Sequence, residues 1–80
     1  MRATVLVRPR EGILDPQGEA VESSLRQLGF TVEQARIGRV VDLELEEGDP
    51  EQAKANLERM CEQLLANPLI ESYEITVTPA

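Results

Sequence analysis

The sequence predicts an α+β sandwich with its elements in the order β-α-β-β-α-β, on three observations. Four short runs rich in β-branched residues alternate with two segments whose apolar residues recur at helical spacing. Each helical segment opens on Asp-Pro, at Asp15-Pro16 and Asp49-Pro50, and these openings stand 34 positions apart, about one strand–helix–strand unit. Two of the strands alternate cleanly, with Val41, Leu43 and Leu45 in one and Tyr73, Ile75 and Val77 in the other facing one side. Such alternation marks a sheet covered on one face.

The first strand, residues 3–7, carries Ala3, Val5 and Val7 on one face and Thr4 and Leu6 on the other, as expected of a central strand. Asp15 and Asp49 are N-cap candidates, and Pro16 and Pro50 occupy the first helical position, where a missing N–H costs nothing. Gln52 follows Asp49 by three residues, a capping-box spacing that Gly18 breaks in the first opening. The first helix runs to about residue 28 with Val21, Leu25 and Leu28 as its apolar stripe, and Gly29 ends it in the left-handed conformation. Residues 30–37 and 40–46 read as two strands around a turn at Ile37-Gly38-Arg39. In the former, Phe30 and Val32 share one face while Ala35 and Ile37 fall on the other, which calls for a bulge or a partner-covered face.

The second helix, residues 50 to about 66, buries Ala53, Leu57, Met60, Cys61 and Leu64, and Asn67-Pro68 stops it. Residues 71–77 form the last strand. Two right-handed split crossovers on one antiparallel sheet give a ferredoxin-like sandwich, strand order 4-1-3-2, both helices on one face, one domain over residues 1–80. The opposite sheet face then shows Leu6, Ala35, Ile37 and Val40, a candidate self-association face.

Composition narrows the function. Aspartate and glutamate number 15 against 8 lysines and arginines, a net charge of −7, which opposes binding to nucleic acid. An RNA-recognition sheet also needs aromatics, and this chain has only Phe30 and Tyr73. There is no long apolar run and a single cysteine, so the expectation is a cytoplasmic protein without membrane association or disulfide. A core this thin favours oligomers.

No catalytic, metal-binding or cofactor-binding residues stand out. Histidine is absent, removing the commonest general base and metal ligand. Cys61 sits on an apolar helical stripe, where it reads as a small hydrophobe. The acidic cluster Asp42, Glu44, Glu46, Glu47 and Asp49 lacks a calcium-loop pattern and reads as a solvated strand face. The 12–18 loop has no phosphate-loop spacing, and Asp15 occupies the helix opening where an anion would sit. In the predicted topology Arg36 and Arg39 lie at the sheet end of Arg2, while Arg8 pairs with Glu44 or Glu46. Arg36 and Arg39, flanking Gly38 on a turn of an acidic protein, suit a carboxylate-rich or phosphate-bearing partner.

Three separated motifs then occur in order: Gly12-Ile-Leu-Asp-Pro-Gln-Gly18 with Glu19-Ala20, Arg36-Ile-Gly-Arg-Val-Val-Asp-Leu43, and Met60-Cys-Glu-Gln-Leu-Leu-Ala-Asn-Pro68 with Ile70-Glu71-Ser72-Tyr73. Together they resemble the PurS family, the small subunit of phosphoribosylformylglycinamidine synthase (formylglycinamide ribonucleotide amidotransferase). Arg39 departs mildly, since the family more usually has lysine there, and the Thr78-Pro79-Ala80 tail is unremarkable. The resemblance implies a subunit of a purine-biosynthetic ligase complex with no active site of its own. It would assemble an ATP-dependent synthetase with a glutaminase and couple glutamine-derived ammonia to amidine formation. ATP and magnesium would belong to the large partner, and the chain itself would be a homodimer or homotetramer. The candidate subunit interface is Gly12, Asp15, Pro16 and Gly18 with Arg36, Gly38 and Arg39. The alternative is an ACT-like regulatory domain of the same element order, binding a small molecule at the 12–18 loop.

Overall fold

A computed structural model describes residues 1–46 and 48–78; Glu47 of the acidic cluster and the Pro79-Ala80 end of the tail lie outside it. The elements are β1 (Arg2–Pro9), α1 (Pro16–Gln27), β2 (Arg39–Glu44), α2 (Pro50–Met60), a π-helical turn (Cys61–Leu65) that continues α2, and β3 (Glu71–Thr78). The protein is α+β, with a three-stranded antiparallel sheet in the order β2-β1-β3 and two helices. These strands stand in the predicted relative order, with β1 central. Val7 faces Arg39 and Arg2 faces Glu44 on one side, while Pro9 faces Glu71 and Arg2 faces Thr78 on the other.

The core is one layer of small side chains between the sheet and α2. Ala3, Val5 and Val7 of β1 pack with Leu57 of α2 and with Cys61 and Ala66 beyond, and Ala53 of α2 is buried as well. Pro50 stands at the helix start, and the Asp49 carboxylate accepts from the Glu51 amide at 3.0 Å, the expected cap. The Gln52 amide turns forward to Asn56 at 3.3 Å. Asn67 does not cap the helix as expected. It builds the turn after it, its side chain accepting from the Leu69 amide and its carbonyl from Ile70 and Glu71.

Three expectations are corrected. Residues 30–37 form no strand among the described residues. Gly29, at φ 98°, ends α1 with Phe30 N–H donating to Leu25 and Gly29 N–H to Arg26. This paired arrangement sends the chain straight back along α1. There the Arg26 guanidinium donates to the Val32 carbonyl at 3.0 Å. The turn at Gly38 is also absent: its φ is not left-handed, and its backbone presses so close to the Val7 carbonyl that a Cβ would overlap it. The chain therefore passes from residue 35 into β2 at Arg39 without a hydrogen-bonded turn. Finally, α1 does not lie on the sheet beside α2. It makes at most glancing contact with the other elements.

The outcome is an arm, residues 13–38, projecting from the sheet end. The radius of gyration is 15.9 Å and the extents are 49 × 26 × 14 Å. A compact chain of this length would have a radius near about 12 Å.

Candidate functional site: the junction of the 12–18 loop and residues 35–39

Residues from two motifs far apart in the chain meet where the arm leaves the sheet. Asp15 Oδ2 accepts from the Ile37 amide at 2.7 Å. Gly18, the buried residue of α1, backs onto the Ala35 carbonyl, and a Cβ there would collide with that oxygen. Asp15 was expected to cap α1, yet it makes no side-chain capping bond of good geometry. Its carboxylate is spent on residue 37 because residues 35–37 pass directly over the helix opening. The Ile37 amide, ahead of those of Gly18 and Gln17, holds the Asp15 carboxyl below its ordinary pKa. Gly12 sits at the outer bend of the loop with φ 83°, a conformation glycine adopts without penalty. Pro16 occupies the first helical turn, as expected.

Arg39 is fully engaged within the chain. Its guanidinium grips both Glu71 carboxylate oxygens, at 2.7 and 3.0 Å, and donates to the Leu65 carbonyl at 2.6 Å. Glu71 also accepts from the Asn67 amide at 2.7 Å. Arg39 chiefly, then the Asn67 amide, holds the Glu71 carboxyl below its usual range. This cluster ties the start of β2 to the start of β3 and to the end of the π-helical turn. Arg36 differs: it donates to the Pro9 carbonyl at 3.2 Å and, among the described residues, meets no carboxylate.

The ends of the sheet are the reverse of those expected for the arginines. β1 and β2 are antiparallel, so Arg2 rather than Arg8 meets Glu44, at 3.1 Å, and Arg36 and Arg39 join Arg8 at the opposite end. Arg8 turns to Glu74 of β3 at 3.5 Å. Asp42 accepts from the Thr4 hydroxyl at 2.9 Å, so the outer face of β2 is used for cross-strand pairing.

Two clefts flank the junction. One of about 460 Å³ is lined by Leu6, Arg8, Pro9, Arg36, Arg39 and Val40. Another of about 270 Å³ lies between Ile13, Leu14 and Ile37 on one side and Ile70 and Glu71 on the other. Of the candidate self-association residues, Leu6 and Val40 are cross-strand partners on the sheet's outer face, Val40 being 59% exposed. Ala35 and Ile37 belong to the arm and do not share that face. Sequence reasoning missed the exposed apolar rim formed by Leu14 and Ile70, which falls in loops without periodicity. It also missed the Arg39–Glu71 clamp, whose partners are 32 residues apart with no local signal.

Comparison with known proteins agrees with this geometry. The family model for PurS, phosphoribosylformylglycinamidine (FGAM) synthase, matches residues 2–79. A Synechocystis protein named phosphoribosylformylglycinamidine synthase subunit PurS is 47% identical over 75 residues, covering 92% of this chain and 75% of that one. The crystal structure of Methanocaldococcus jannaschii PurS superposes with a TM-score of 0.85 at 38% identity, covering 99% and 96% of the two chains. A chain in the structure of PurLQS from Thermotoga maritima gives a TM-score of 0.84 at 36% identity, covering 94% and 93%. The motifs, the three-stranded sheet and the projecting arm are therefore those of a known family: the chain belongs to the PurS family.

Proposed function

We propose that this chain is the small, non-catalytic subunit of phosphoribosylformylglycinamidine synthase in purine biosynthesis. It holds an ATP-dependent synthetase and a glutaminase together and couples glutamine-derived ammonia to amidine formation. The observation that carries this is the match of nearly the whole chain, in sequence and in fold, to PurS subunits, one of them within a PurLQS assembly. The junction supports it: an open guanidinium at Arg36, an apolar rim and a rigidly clamped base suit docking. ATP and magnesium belong to the large partner on this reading, and the chain acts as a homodimer or homotetramer.

Reconstitution tests it. The chain added to the matching synthetase and glutaminase restores glutamine-dependent amidine formation, while ammonia-dependent synthesis depends on it much less. Full glutamine-dependent activity from the two large subunits alone would overturn the assignment.

A further inference from the structure

The chain has 15 acidic residues against 8 basic ones, yet four of its arginines, Arg8, Arg10, Arg36 and Arg39, gather at one end of the sheet. The cleft of about 460 Å³ opens at that end, and three arginines and no carboxylate line it. Its neighbours carry carboxylates: the cleft beside Ile13 and Ile70 holds Asp15 and Glu71, and another at the far end of the sheet holds Asp42 and Glu44. The sign of the surface is thus reversed in one concave place, where the surrounding protein focuses the field on whatever enters.

Gly38 creates this cleft. Its backbone lies against the Val7 carbonyl, where a Cβ would overlap, and a side chain there would also touch the stem of Arg8. The close approach draws residues 36–38 over the end of β1, so that Arg36 of the arm and Arg8 of β1 line one cavity. Arg36 donates to the Pro9 carbonyl at 3.2 Å, which steadies the guanidinium and leaves the rest of its five N–H groups to a ligand. Arg8 is held by an exposed pair to Glu74 at 3.5 Å, a contact that contributes under about 1 kcal/mol and gives way readily to a stronger anion. Leu6 and Val40, cross-strand partners, form an apolar wall beside the two guanidiniums.

We propose that this cleft binds a small phosphate monoester of nucleoside monophosphate size. Such a group carries nearly two negative charges at neutral pH and three acceptor oxygens, enough for forked bonds from both Arg8 and Arg36. A carboxylate, with one charge and two oxygens, satisfies a single fork. The volume lies within the range of about 300–1,000 Å³ usual for small-molecule sites and exceeds what inorganic phosphate fills. Leu6, Val40 and the Pro9 ring then lie against the sugar and base. This goes beyond the preceding reading and requires neither large subunit.

The test titrates the free, isotope-labelled protein with adenosine monophosphate, inorganic phosphate and adenosine. Adenosine monophosphate should shift the amides of Arg8, Gly38 and Val40 saturably, with a dissociation constant of about 1 mM or below. Inorganic phosphate should bind on the order of tenfold more weakly, and adenosine not measurably. Arg8→Gln and Arg36→Gln should each weaken nucleotide binding on the order of tenfold or more with the fold intact, since both side chains make only exposed contacts. Arg10→Gln, whose guanidinium donates to the Pro68 carbonyl outside the cleft, should leave it unchanged. No saturable shift, or equal binding of phosphate and adenosine monophosphate, overturns the proposal. So does weakened assembly in Arg36→Glu with no nucleotide binding to the wild type, which assigns the cleft to a carboxylate of a large subunit. Each of these failures leaves the reconstitution assay free to succeed, so the two readings fall separately.

Discussion

Arg39 and Arg36, three residues apart and equal in charge, should respond to substitution in opposite ways. Replacing Arg39 by alanine removes a two-pronged ion pair to Glu71 and a bond to the Leu65 carbonyl. A charge-assisted hydrogen bond contributes about 1.5–3 kcal/mol when shielded. The guanidinium is 49% exposed, so solvent screening reduces the whole clamp to about 1–2 kcal/mol. For a domain of this size that lowers the melting temperature by about 5–15 °C. Arg36→Ala loses one exposed bond to the Pro9 carbonyl and should cost under about 0.5 kcal/mol. Its effect should instead appear in binding: Arg36→Glu weakens association with the synthetase and glutaminase, and the wild-type contact weakens with added salt. Paired thermal melts and affinity measurements at two ionic strengths separate the cases. Melting temperatures that coincide for Arg36→Ala and Arg39→Ala would refute the clamp, and unchanged affinity in Arg36→Glu would remove Arg36 from the docking surface.

The two Asp-Pro openings should also part company. Asp49→Ala loses a cap and costs about 1 kcal/mol of stability by denaturant titration, whereas Asp15→Ala should chiefly speed hydrogen exchange at the Ile37 amide. Because the folded-state pKa of Asp15 lies below its ordinary value, the protection it gives is complete above pH about 4 and fades as pH falls through the lowered pKa; protection at Ile37, relative to intrinsic exchange, that does not fade in acid would contradict the bond. Leu57, fully buried at the centre of the core, should cost about 3–4 kcal/mol on truncation to alanine, with a loss below about 1 kcal/mol showing that the layer simply collapses to fill the gap.

Much of this architecture was legible in the residues. Alternation placed Val41 and Leu43, and Tyr73 and Ile75, on the core face, and the Asp-Pro pairs located both helix starts within a residue. The Gly29 ending was legible too, because a glycine after an apolar stripe has one common conformation there. Residues 30–37 misled for a physical reason. Their composition specifies an extended chain but not which edge it joins, and a lone strand has no ladder of its own. The irregular facing of Phe30 and Val32 against Ala35 and Ile37 was the visible sign of that conflict. Arg8 was assigned the wrong partner although the predicted antiparallel sheet already sets Arg2, at the start of β1, beside the acidic end of β2. The junction site was legible by halves: Asp15 and Ile37 each stood in a motif, while their hydrogen bond arises only from the chain's return past the helix opening.

The placement of β1 in the middle of the sheet sets how this protein must come into being. Its two neighbours are distant in the chain, with Ala3 beside Leu43 on one side and Val77 on the other. The strand made first therefore waits for nearly everything else before its second edge closes. Contacts of such long range make folding slow relative to a helical chain of equal length. During synthesis, the β1–β2 pair stands with one edge open until residues 71–78 emerge, and Leu57 and Cys61 have only part of their floor beneath them. Removing β3 would leave a two-stranded ribbon, which is marginally stable at best in water. The last strand thus acts as the latch of the fold, and lesions there should be felt as failure to accumulate before they are felt as failure to assemble.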